Sequence, residues 1–123
     1  MRLNHLDLLV SDVSSTRDFF EKFLGFRVEA TKGKDAMSIL RDESGFLLVI
    51  SKFRKDSPTD YPQDFHIGFH LESEQAVREA HERFTQGGVE RVSPLADMRG
   101  GLRFYCHAPG PLLIEIATMG AGS

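Results

Sequence analysis

Eight ionisable side chains recur at alternate positions of four apolar segments. His5 and Asp7 alternate with Leu6, Leu8 and Val10. His66 and His70 alternate with Ile67, Phe69 and Leu71. Arg103, Tyr105 and His107 alternate with Phe104 and Cys106, and Glu115 lies between Ile114 and Ile116. A strand sends successive side chains to opposite faces. One face is therefore apolar, and the other gathers these eight groups. Buried polar groups without partners are costly, so that face reads as the wall of a wet cavity. The chemistry available there is proton transfer and hydrogen bonding. His70 could serve as an acid or base, or sit as a rim histidine. Tyr105 could donate a hydrogen bond or relay a proton, or simply line the wall. Asp7 could be a general base or orient a histidine, or pair with Arg103. Arg99 and Arg103, around Gly100-Gly101, could form an anion-binding loop or an exposed arginine pair. Cys106 falls on the apolar face, which argues against a nucleophile.

The elements that must position these groups come in two copies. HLDLLVSDVSSTRDFFEKFLGFRV from His5 is echoed by HIGFHLESEQAVREAHERFTQGGV from His66, an offset of 61 from residue 5 to residue 66. GFLLVI from Gly45 is echoed by GPLLIE from Gly110, an offset of 65 when the glycines are matched. Each copy reads as strand, helix and three strands. In the first, Ser15 is the expected helix cap, Phe19, Phe20, Phe23 and Leu24 the buried stripe, and Gly25 the stop. Strands follow near 26–31, 36–42 and 46–51. In the second, a helix from Ser73 to about Gln86 buries Val77, Ala80 and Phe84, and Gly87-Gly88 ends it. Strands follow near 90–95, 102–107 and 112–118. His81 reads as packing between helix and sheet, and His107 as a turn residue. Module one spans about 3–51 and module two about 65–118. The polar, proline-bearing stretch 52–64 reads as a linker.

The glycine-matched offset sets Ile50 against Glu115 and Leu40 against Tyr105, with Phe46 and Leu48 alongside. This predicts a cleft with one polar and one apolar wall, the usual make-up of a small-molecule site. Leu40, Leu48 and Ile50, with Arg103, are the candidate substrate contacts.

Composition narrows the classes. The chain has 123 residues, one of them cysteine, and a formal net charge of −3. That length suits a single domain spanning residues 1–123. The charge supplies no footprint for nucleic acid or an anionic membrane. No apolar run approaches the roughly 20 residues of a membrane helix. Charge appears too early in MRLNHLDLLVSD for a secretory signal, and a lone cysteine suits a reducing cytoplasm.

These residues carry a family resemblance. LNHLDLLVSDVSSTRDFFEKFLGFRV is similar to the opening of the vicinal oxygen chelate superfamily, which includes glyoxalases, fosfomycin resistance thiol transferases, extradiol dioxygenases and bleomycin resistance proteins. The histidine of the first strand, the Asp12 to Phe19-Phe20 helix start and LGF at 24–26 carry it. So do H-x-x-F from His66 and FYCHAPGPLLIE from Phe104 to Glu115. The double βαβββ pattern is that superfamily's architecture: an α+β fold whose two modules form an open, mixed-sheet, barrel-like cleft.

The resemblance implies a divalent metal ion (Fe, Mn, Zn, Ni or Co) held by His5, His66 and Glu115. Two imidazoles and a carboxylate leave positions open for a small substrate with vicinal oxygens. It also implies a homodimer whose sites are shared between subunits. Tyr105 falls on the active-site tyrosine position of the thiol transferases and dioxygenases. The chain departs from particular subfamilies. The fourth glutamate of glyoxalase I is replaced, by Ile50 on the glycine-matched offset. Asp7 stands where thiol transferases usually carry threonine, and no further histidine of the dioxygenase kind lies around Ala96. The expected function is a glyoxalase-like metalloenzyme whose reaction is isomerisation, thiol addition or ring cleavage. The alternative is a metal-free protein that sequesters a small drug or metabolite.

Overall fold

The computed structural model describes residues 1–52, 60–98 and 100–118. The chain divides into two compact units, Met1–Asp60 and Tyr61–Ser123. Most of the expected linker, 53–59, and Arg99 lie outside the described residues.

In the first unit, β1 (His5–Leu9) leads into α1 (Val13–Phe23), followed by β2 (Arg27–Lys32), β3 (Met37–Arg41) and β4 (Leu47–Ser51). The sheet order is β1-β4-β3-β2. β1 and β4 run parallel, and the other pairs are antiparallel. The helix starts earlier than Ser15 suggests. Asp12 is its N-cap, with the carboxylate accepting from the Ser14 N–H at 3.1 Å. An aspartate caps as well as a serine, so the two were competing signals. Gly25, at φ +73°, ends the helix as expected. Phe20 is fully buried, edge-on to Phe26 at 5.4 Å.

The second unit repeats the plan: β5 (His66–Leu71), α2 (Glu74–Gln86), β6 (Ala96–Met98), β7 (Gly101–Ala108) and β8 (Leu112–Thr118). Its order is β5-β8-β7-β6, with β5 and β8 parallel. Ser73 caps α2 as expected. Phe84 and His81 of α2 both meet Phe104 of β7 edge-on. His81 also bonds the Ser93 carbonyl at 2.8 Å, which anchors the loop before β6. The strand expected at 90–95 forms instead at 96–98, leaving one bridge from Glu90 to His107. Pro94 has no N–H to give a ladder, and Arg91 sits at φ +53°. His107 belongs to β7 rather than to a turn.

The register of β4 corrects the expected apolar wall. Asp7 pairs with Val49 as Gly68 pairs with Glu115, and Ile39 pairs with Val49 as Tyr105 pairs with Glu115. Val49 and Ile39, not Ile50 and Leu40, hold the corresponding positions. Leu40, Leu48 and Ile50 are buried, Ile50 completely, on the face that carries Leu8 and Ser38. That is the α1 side, because Arg17 of the helix reaches the Ser38 hydroxyl at 3.4 Å. They are core residues. The cause is the glycine match. The span from Ile39 to Val49 equals that from Tyr105 to Glu115, which sets Ser44 against Gly110, so Gly45 sits one place later in its turn than Gly110 does. A one-residue slip turns every side chain to the other face.

Candidate functional site

The open face of the second unit is built by β5, β8 and β7. Gly68 and Tyr105 flank Glu115 across the ladders, and Arg103 is one step along β7 on the same face. One carboxylate oxygen of Glu115, Oε2, accepts from the Tyr105 hydroxyl at 2.7 Å and from Arg103 Nη1 at 2.9 Å. The second oxygen, Oε1, makes no hydrogen bond among the described residues and lies toward Gly68. A Cβ placed on Gly68 would sit 3.4 Å from it. A glycine in a strand marks a close approach, and here the approaching group is this carboxylate.

Burial opposes ionisation of Glu115. The Tyr105 hydrogen bond and the Arg103 charge and hydrogen bond outweigh it and hold the carboxyl below its ordinary range. Tyr105 is shifted the other way, upward, first by its bond to Glu115 and then by burial. It therefore keeps its proton at neutral pH.

Arg103 is 8% exposed, so the exposed-pair expectation does not hold. Its Nη2 donates to the Met98 carbonyl at 3.2 Å, and its buried Nε has no partner among the described residues. The sequence showed Arg103 on the correct face, but not that its charge is spent on Glu115.

His66 opens β5. Its Nδ1 lies 2.9 Å from the Asp64 carbonyl, and its ring meets Tyr105 edge-on at 6.3 Å. A carbonyl can only accept, so Nδ1 carries a hydrogen, and in the neutral ring Nε2 then keeps its lone pair. His70 is exposed further along the same face. Thus His66, Tyr105, Arg103 and Glu115 are brought together, and His70 stands apart from their bonds.

The first unit places His5 where His66 stands in the second, since His5 pairs with Leu47 as His66 pairs with Leu113. His5 Nδ1 contacts Asn4 Oδ1 at 3.1 Å, not Asp7. Asp7 instead accepts from the Ser51 hydroxyl at 2.7 Å. Within its own unit, Asp7 is thus bonded to a serine rather than to His5. Asp64, Ser51 and Gly68 were missed as site residues. Gly68 carried a signal, a glycine between two histidines on a polar strand face.

Among the described residues, no group of three or more His, Cys, Asp or Glu side chains is placed to hold a metal ion. The donors of the second unit nevertheless suit a cation. His66 Nε2 and Glu115 Oε1 are both free of hydrogen bonds among the described residues, and the carboxyl is kept ionised.

Comparison with known proteins agrees with this architecture. The chain is similar to a possible glyoxalase from Bacillus cereus, with 36% identity, TM-score 0.83, and coverage of 94% of this chain and 97% of that one. The uncharacterized protein YqjT of Bacillus subtilis is 28% identical, over 94% of this chain and 98% of that protein. The fosfomycin resistance protein FosX of Listeria monocytogenes, solved with Mn(II) and sulfate, shares the fold at 22% identity. Its TM-score is 0.76, with 98% of this chain and 93% of that one covered. The family model of the Glyoxalase/Bleomycin resistance protein/Dioxygenase superfamily matches residues 2–116, and the chain belongs to that superfamily.

Proposed function

We propose that this protein is a metal-dependent enzyme acting on a small substrate with vicinal oxygens. The supporting observation is the pairing of an ionised Glu115, with Oε1 free, and a His66 whose Nε2 is free. These two would ligate a divalent ion (Fe, Mn, Zn, Ni or Co). By the family resemblance, His5 would supply a further ligand. A bound ion would polarise substrate oxygens and stabilise negative charge on them. Tyr105 holds a proton at its hydroxyl and delivers it toward Glu115 Oε2, so it can also present that proton to substrate. Arg103 keeps Glu115 ionised and oriented rather than touching substrate. His70 and Asp7 are candidate proton carriers on the open faces of their units. A lactoylglutathione lyase reaction is disfavoured, because Val49 replaces the further carboxylate that the resemblance associates with it.

One observation favours a second reading, metal-free sequestration of a small molecule. Glu115 already has a cation partner in Arg103. As in superfamily members of this size, the working unit is a homodimer in the cytoplasm, with subunits sharing sites. A monomer by sedimentation would contradict that.

Metal analysis combined with a substrate panel tests the reading. The purified protein should carry about one divalent ion per chain, and His66→Ala and Glu115→Gln should lose it. The panel is methylglyoxal–glutathione hemithioacetal, fosfomycin with thiols, and catechols. A protein that gains no thermal stability from Mn, Fe, Zn or Ni, yet binds small ligands, would be the sequestering form.

A further inference from the structure

The residues before β5 form a tight turn. The Phe65 N–H donates to the Pro62 carbonyl at 3.0 Å, closing four residues, and Asp64 is the third of them. Asp64 has φ +67°, the left-handed region that this place in a type II turn demands. Glycine takes it freely, and aspartate and asparagine are among the few other residues that tolerate it. The turn leaves the Asp64 carbonyl 2.9 Å from His66 Nδ1.

We infer that Asp64 is a positioning residue, whose left-handed backbone fixes His66 with its hydrogen on Nδ1 and its lone pair on Nε2. The argument is one of donor and acceptor types. A backbone carbonyl has no hydrogen to give, so it selects one neutral tautomer of the ring. The contrast with His5 is informative. Its Nδ1 faces the Asn4 side-chain amide, which can rotate to offer either an oxygen or an NH₂. Of these two, His66 is held by the main chain, through a backbone conformation that few residues adopt. The aspartate is then needed for its backbone, not for its carboxylate. A hydrogen bond to the outer nitrogen of a ligand histidine orients the ring and raises its basicity. This inference rests on His66 acting as a metal ligand only for its use, not for its geometry.

The experiment is ¹⁵N–¹H correlation NMR of the histidine rings in metal-free protein at mildly alkaline pH, paired with Mn²⁺ titration by EPR. His66 should show a protonated Nδ1 and an unprotonated Nε2. Asp64→Gly and Asp64→Asn keep the turn and should keep that pattern. Asp64→Val, whose β-branch disfavours positive φ, should shift the ring toward the other tautomer. It should weaken Mn²⁺ binding by about ten-fold. Asp64→Ala gives a milder version if the valine variant does not fold. An unchanged His66 tautomer in the valine and alanine variants overturns the inference. So does loss of the pattern in Asp64→Gly, which would assign the effect to the carboxylate. If no form binds Mn²⁺ while the tautomer still follows residue 64, the metalloenzyme reading fails and the positioning role stands.

Discussion

Arg103 Nη1 lies 2.9 Å from Glu115 Oε2, and both side chains are about nine-tenths buried. Tyr105 joins the same oxygen. The three groups form a closed set in which one negative charge is met by one positive charge and one phenol hydrogen. The result is a carboxylate with one oxygen engaged and the other free of hydrogen bonds among the described residues.

The set has an unequal energetic response. Arg103→Met strands the Glu115 charge in a desolvated position and should cost about 3 kcal/mol of stability. The double change Arg103→Met with Glu115→Leu removes both charges and should cost less than the single one. Tyr105→Phe leaves the ion pair and should cost about 1 kcal/mol. Urea unfolding midpoints rank the three. A single Arg103 variant no worse than the double would show that the pair is solvated.

Gly68 should be read through the carboxylate beside it. Alanine there brings a Cβ to 3.4 Å from Oε1, a tight but ordinary contact. Gly68→Val adds two methyl groups in the same place and should crowd the free oxygen. The expected outcome is Mn²⁺ affinity reduced by about ten-fold, with the circular dichroism spectrum unchanged. Full affinity in the valine variant would mean that Oε1 is not the ligand atom.

The register of β4 makes its own prediction. Ile50→Ala empties a core position and should cost about 3 kcal/mol. Val49→Ala, on the opposite, part-exposed face, should cost about 1 kcal/mol. Denaturation of both variants decides the matter. If Val49 proves the costlier truncation, the face assignment is inverted.

The ease with which each feature could be read follows from how many residues specify it. The polar face of module two was legible because three strands repeat the same alternation, and no single residue sets it. The helix stripes were legible for the same reason, with Phe19, Phe20, Val77 and Phe84 all buried. The β4 face was not, because its register was inferred from one glycine match. The start of α1 lay between two residues that cap equally well, Asp12 and Ser15. The burial of Arg103 depends on a partner 12 residues away across a ladder, which alternation along one strand cannot reveal. The Asp64 contact depends on a backbone angle, and a Pro-Gln-Asp turn signal does not say where its carbonyl points.

Cys106 supplies a test by pH. It is fully buried on the α2 side of β7, and burial pushes its thiol up to about 12. In the unfolded chain the same thiol loses its proton near about 8.5. Between those values the native state binds more protons than the unfolded state. Stability therefore falls as pH rises through that window, and the contribution is fully present below it. Other groups titrate there too, so the comparison is with Cys106→Ala. The native protein should be the more stable at pH 7, because the sulfur fills core volume. Its advantage should shrink steadily as pH rises from about 8.5 toward 11. Thiol labelling by a disulfide reagent should proceed only at the rate of unfolding, since the buried thiol yields no accessible thiolate. A pH-independent stability difference between the two proteins, or rapid labelling under native conditions, would mean that Cys106 is not held in the core.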